Sequence, residues 1–334
     1  VGADAANFKI HFKGGGWCMS DQACLERSKG WLGSSKQWGP VPAGTLGDTT
    51  KNPSEGAQGL LNNNSSNPFG NWTAIFVEYC DGSSYTSDRA EPVTIGKAKI
   101  YYRGWQVLNA LIVDWLKQGM DKAGAVILSG TSAGGLTTYQ HAEYIKSRLS
   151  TTTHVVAVPD AGFFLDLPDV DGIYKWRASL NQGFATWNGT GHANAACLSA
   201  ESDVTRCHFP NYLLPHVSTV PFFIMNSLYD TFHLGGILGL PCSPQPHGLD
   251  SPASGIHTRR IHDGGPPCNA TMLKKLQDYR DSFLAEVAAS AQATASLNHG
   301  YALTGCMQHE EICRDNVSRC LLTTVVISFW PYLP

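Results

Sequence analysis

Residues 125–149 carry an apolar run, Ala125-Val126-Ile127-Leu128, then Gly130-Thr131-Ser132-Ala133-Gly134, then a helix-forming stretch over 136–149. A strand, a five-residue turn and a helix in that order fit a G-x-S-x-G elbow. Glycine is needed on both sides of the serine, because a side chain there would strike the neighbouring strand and helix. The serine hydroxyl is thereby pushed out at a helix N-terminus, where backbone N–H groups face developing negative charge. The competing reading is a glycine-rich turn with a capping serine; the strand before and the helix after favour a nucleophile.

Working outward, Phe8–Phe12 alternates and runs into Gly14-Gly15-Gly16, a strand ending in a glycine loop. Ala74–Tyr79 reads as a second strand, Val155–Val158 as another and Pro221–Met225 as another. Tyr101–Gln118 carries apolar residues at helical spacing, with Gly119 as its C-cap, and 272–292 is a long helix. Strands alternating with helices predict a mostly parallel α/β sheet with helices on both faces. Residues 33–71 read as a surface excursion, and 160–215 and 235–270 as insertions within one domain spanning 1–334. The last fourteen residues are apolar but interrupted, and fit a buried final strand better than a membrane span.

Of 334 residues, 15% are charged, and 24 Lys and Arg against 27 Asp and Glu leave a net charge of −3. That balance excludes a basic nucleic-acid binder or a polybasic membrane-surface protein. The ten cysteines read as disulfides of a secreted chain. Sequons at Asn63, Asn64, Asn71, Asn188, Asn269 and Asn316 point the same way. The sequence begins at Val1 rather than Met, which predicts a processed or truncated N-terminus. Cys18 with Cys24, and Cys197 with Cys207, are close enough for local bridges. Cys306, Cys313 and Cys320 with His309 offer a zinc ligand set, but the spacing is wide for structural zinc and disulfides are preferred. No metal or other cofactor is expected.

A nucleophilic serine needs a base and a group to orient it, in the chain order Ser, acid, His on this fold. Asp230 follows the strand at 221–225 and would lie at the C-terminal sheet edge; Asp160 and Asp166 compete for the role. His309 and His299 are the candidate bases, with His233, His247, His257 and His262 in the loop region after Asp230; spacing alone barely separates His309 from His299. The loop Gly14-Gly15-Gly16-Trp17 has the place of an oxyanion loop, where bare backbone approaches a substrate carbonyl.

Five segments in this order resemble the pectin acetylesterase family, which also contains the Notum carboxylesterases. They are Gly14–Cys18, Tyr79–Ser84, Gly130–Thr138, Asp160–Asp166 and Asn226–Asp230. The resemblance spans roughly residues 8–320. It implies a secreted serine hydrolase of α/β-hydrolase fold, with Ser132 as nucleophile and Asp230 as acid. Gly305-Cys306-Met307-Gln308-His309 matches the family's histidine, which selects His309 over His299. Gly16, Trp17 and Ala133 match its oxyanion donors. Lys13 stands where the family commonly has an acid, Thr131 where plant members usually carry Cys, and residues 321–334 depart from the family's ending. The family's usual segment ahead of the first strand is not in this sequence.

The resemblance implies an esterase removing O-acetyl groups from cell-wall polysaccharide such as pectin. A monomer is expected, with no nucleic-acid partner and no stable membrane insertion. Trp17-Cys18 resembles the plant-type arrangement, which favours acetyl. The alternatives are a Notum-like deacylase of acylated protein, its apolar pocket walled by Phe163, Phe164, Phe222 and Phe223, and a non-catalytic binding protein on a hydrolase scaffold.

Overall fold

The computed structural model describes residues 7–38, 59–242, 268–293, 295–305, 309 and 325–327. In chain order the strands are β1 (Asn7–Phe12), β2 (Thr73–Val77), β3 (Val93–Ile95), β4 (Ala98–Ile100), β5 (Ala125–Thr131), β6 (His154–Asp160), β7 (Phe223–Ser227), β8 (Gly300–Thr304) and β9 (Val325–Ile327). The helices are α1 (Asp21–Arg27), α2 (Gly104–Lys117), α3 (Ala133–Ser147), α4 (Lys175–Trp187), α5 (Ala195–Ala200), α6 (Pro210–Leu213) and α7 (Ala270–Ala293). One sheet runs β2-β1-β5-β6-β7-β8-β9, parallel from β2 to β8 and antiparallel only at β9. β3 and β4 form a separate hairpin.

Central strands of such a sheet are covered on both faces, so they read as apolar runs rather than alternations. Val126, Leu128, Ser129 and Gly130 of β5 are all fully buried or nearly so. β1 departs from that rule: Lys9 and His11 are also fully buried. Lys9 Nζ donates to the Asn62 carbonyl at 3.2 Å, and burial lowers its pKa to about 8. Ser129 Oγ donates its one hydrogen to the Ile10 carbonyl, so it accepts from His11 Nδ1–H at 2.9 Å. Burial drives the His11 pKa down to about 3 and keeps the ring neutral.

Several boundaries differ from the sequence reading, two of them for a plain physical reason. α3 starts at Ala133, one turn before the predicted 136, because close packing overrides the poor helix propensity of Gly134 and Gly135. A Cβ on Gly134 would stand 2.0 Å from the Phe12 carbonyl oxygen, and one on Gly130 would stand 2.2 Å from that of Gly134. β7 starts at 223 rather than 221: Pro221 has no N–H, and the Phe222 N–H donates to His299 Nδ1 at 2.9 Å. The strand at 325–327 falls within the apolar chain end. β8 and the β3–β4 hairpin had no counterpart in the sequence reading.

Disulfides join Cys18 to Cys24 and Cys197 to Cys207, as the local spacing suggested, and Cys242 to Cys268. Cys80 is a free thiol; Cys306, Cys313 and Cys320 lie outside the described residues. Thiol titration of denatured, unreduced protein is therefore expected to find at most four of the ten cysteines reactive. Five or more would contradict the bridges described.

Candidate active site

Three parallel strands end at the same edge of the sheet, and each is followed by one expected catalytic residue. β5 runs to Thr131 and delivers Ser132; β7 ends at Ser227 and leads to Asp230; β8 ends at Thr304 and leads to His309. In open α/β sheets ligands gather at this carboxyl edge. Ser132 holds φ 55° and ψ −119°, a left-handed backbone unusual for a residue with a side chain. Its N–H donates to the Asp160 carbonyl at 2.9 Å, and its own carbonyl accepts the Leu136 N–H. The side chain is therefore presented from a turn held by its own backbone. Next in line is Ala133, the first residue of α3, whose N–H has no acceptor within the helix.

Asp230 is completely buried. One carboxylate oxygen, Oδ1, accepts from the backbone N–H groups of Phe232 (2.9 Å) and His233 (3.1 Å). The other, Oδ2, accepts from His309 Nδ1 at 2.8 Å and from the Asn226 amide at 3.5 Å. Burial alone would raise the Asp230 pKa. The charges of His309 and His233 and the hydrogen bonds from His309 and the His233 backbone outweigh burial and hold it below the usual carboxylate value. An ionised Asp230 has no proton to give, so His309 Nδ1 must carry the hydrogen between them. Neutral His309 then keeps its lone pair on Nε2, the tautomer a general base requires. Its ring lies against Phe232 at 5.7 Å between centroids.

The other candidates have different surroundings. Asp166 is bound by Arg177 through Nη2 (2.6 Å) and Nε (2.8 Å). Asp160 ends β6, its carbonyl committed to the elbow. His299 accepts the Phe222 N–H, and burial lowers its pKa to about 4. His233 is fully buried, bonds through Nδ1 to the Tyr279 hydroxyl, and is lowered by burial to about 4. His247, His257 and His262 lie outside the described residues.

The glycine loop follows β1 at the same edge. Gly15 and Gly16 have φ of 137° and 63°, so both need the freedom of glycine, and Arg27 Nη1 donates to the Gly15 carbonyl at 2.8 Å. Trp17 enters an aromatic cluster with Phe164 (5.1 Å), Trp176 (5.5 Å) and Phe232 (6.2 Å). Phe232 links that cluster to His309. Of the four phenylalanines considered as pocket walls, Phe164 is in the cluster. Phe163 packs on Tyr139 and Phe283, and Phe222 stacks on Tyr139 in the core. Trp176 and Phe232 escaped the sequence reading: one sits on α4 inside an expected insertion, and neither belongs to a motif.

The parallel sheet with its surrounding helices and strand–elbow–helix unit is an α/β-hydrolase fold. A family model described as pectinacetylesterase matches residues 1–324, and the chain belongs to that family. Pectin acetylesterase 11 of Arabidopsis thaliana is 32% identical over 313 residues, covering 92% of this chain and 72% of that protein. Pectin acetylesterase 7 of the same plant is 30% identical over 310 residues, with the same two coverages. The palmitoleoyl-protein carboxylesterase notum2 of Xenopus laevis is 29% identical over 237 residues, covering 66% of this chain and 45% of that protein.

Proposed function

We propose that this chain is a secreted serine esterase that removes O-acetyl groups from cell-wall polysaccharide such as pectin. The observation that carries the proposal is the buried Asp230–His309 hydrogen bond at the sheet edge that also bears the Ser132 elbow. In this reading Ser132 Oγ attacks the acetyl carbonyl while His309 Nε2 takes its proton. Backbone N–H groups of Gly16, Trp17 and Ala133 hold the oxyanion. His309 returns the proton to the sugar oxygen as the C–O bond breaks, leaving acetyl-Ser132, which water cleaves by the same route. Membership of the pectinacetylesterase family supports a carboxylic-ester hydrolase acting on such polysaccharide. Three disulfides among the described residues, and exposed asparagines at Asn63, Asn64, Asn71, Asn188 and Asn269 in sequons, support a glycosylated, extracellular or cell-wall enzyme. Among the described residues no helix is long and apolar enough to cross a membrane.

The aromatic cluster favours acetyl over a fatty acyl group. Phe164, Trp176 and Phe232 stand 5.5–5.8 Å apart, centroid to centroid, and all three are buried. A long acyl chain entering beside His309 would have to displace packed rings, and overpacking of that kind costs about 1–3 kcal/mol. With nitrophenyl esters from two to twelve carbons, kcat/KM for the acetyl ester is expected to exceed that for the octanoyl ester by about 100-fold, the upper part of that range. Acetyl release from pectin should accompany it. Preference for eight carbons or more would favour the protein-deacylase reading, and absence of turnover on every ester would favour a binding protein.

A further inference from the structure

We propose that Ser84 is a positioning residue for the oxyanion-binding backbone, a role that rests on the serine-esterase reading above. Ser84 is fully buried in the loop after β2 and holds a left-handed φ of 50°. Its hydroxyl donates to the Ala133 carbonyl at 2.8 Å, so with that one hydrogen committed it accepts from Trp17 Nε1–H, also at 2.8 Å. Its backbone is held as firmly: the N–H donates to the Tyr79 hydroxyl (3.0 Å) and the carbonyl accepts from His141 Nε2–H (2.9 Å).

The bridge joins two segments that the covalent chain leaves independent. Gly16 and Trp17 belong to the loop after β1, while Ala133 opens α3 beyond β5. An oxyanion hole built from both needs its N–H groups within about 2.7–3.1 Å of one oxygen. Spacing between the segments must therefore be held tightly, and a single hydroxyl bonded to a residue of each supplies that constraint. Ala133 has a second donor, Thr137 Oγ1 at 3.0 Å, so loss of the Ser84 hydroxyl leaves its carbonyl satisfied. What is lost is the acceptor that fixes the Trp17 ring.

Misplacement of catalytic groups by about 1 Å costs about 100-fold in rate. Ser84→Ala is accordingly expected to lower kcat on nitrophenyl acetate by about 10–100-fold with KM changed by less than about threefold. An aryl trifluoromethyl ketone tests the oxyanion directly. Ser132 Oγ bonds to its carbonyl carbon, the carbonyl electron pair moves to oxygen, and the serine proton passes to His309. Its inhibition constant should weaken by the same factor as kcat/KM, while the thermal midpoint stays within a few degrees. Trp17→Phe keeps the ring and removes the same bond from the other end, so it should reproduce both losses, and the double variant should be no worse than the poorer single one. Unchanged kcat, a loss confined to KM, an unaffected inhibition constant, or multiplying losses in the double variant would each overturn the role of Ser84. If Ser84→Ala fails to fold, Trp17→Phe decides alone by the same kcat and inhibition readouts. Turnover retained by Ser132→Ala would instead overturn the underlying serine-esterase reading.

Discussion

Ser132→Ala is expected to lower kcat on nitrophenyl acetate and on acetylated pectin by at least about 10³-fold, with far less effect on KM. The size follows from the way nucleophile and base act as a unit: once either is absent, only binding and oxyanion stabilisation remain. Thermal stability should change little. The elbow is held by the Ser132 backbone and by the glycines at 130 and 134, and the hydroxyl is not the N-cap acceptor of α3. The same site should react covalently. A fluorophosphonate probe is expected to label the wild-type protein stoichiometrically, with peptide mapping placing the label on Ser132, and to leave Ser132→Ala unlabelled. Label on another serine, or turnover preserved in the variant, would remove the nucleophile from this account.

The elbow was legible in the sequence because its chemistry constrains three of five consecutive positions, and because the flanking strand and helix are local. The same holds for the glycine loop and the bridges Cys18–Cys24 and Cys197–Cys207, each formed within a short span. What escaped depends on contacts distant in sequence. β8 is five residues of weak strand preference, and it forms because β7 pairs along its whole length. Lys9 and His11 look like the polar half of an exposed alternation, yet both are buried, because β1 is an interior strand of a sheet covered on both faces. The choice of His309 over His299 could not come from spacing. It came from a family resemblance, and the structure brings His309, not His299, to Asp230: His299 precedes β8 and bonds to Phe222, whereas His309 follows that strand. Ser84 closes one of the segments that carry the resemblance, but no role could be read for it there, since serine is ordinary in turns and its role depends on two residues from other segments.

The orienting carboxylate offers a second large effect, and its hydrogen bonds dictate the form. In Asp230→Asn the position of Oδ1 must still accept two backbone N–H groups, from Phe232 and His233. The amide oxygen must therefore take that place, which turns the amide NH₂ toward His309 Nδ1. An NH₂ group donates and cannot accept, so the imidazole moves its hydrogen to Nε2 and can no longer take the serine proton. For this exchange in a Ser-His-Asp triad the loss in kcat is about 10⁴, with the geometry otherwise kept. A similar fall is expected here, with KM within a few-fold. The pH profile adds an independent sign. In the wild type kcat/KM should rise along an acid limb between about pH 5 and 7.5, as the base loses its proton. Asp230, held below the usual carboxylate value, stays ionised throughout that range, so the limb reports the imidazole and not the acid. Its negative charge favours the imidazolium; removing it favours the neutral ring, so the residual activity of Asp230→Asn should show its limb displaced to lower pH. His299→Ala should keep both the plateau and the limb, because that ring is committed to the Phe222 N–H away from Asp230. A limb that stays in place in Asp230→Asn, or one that vanishes in His299→Ala, would mean that His309 is not the base.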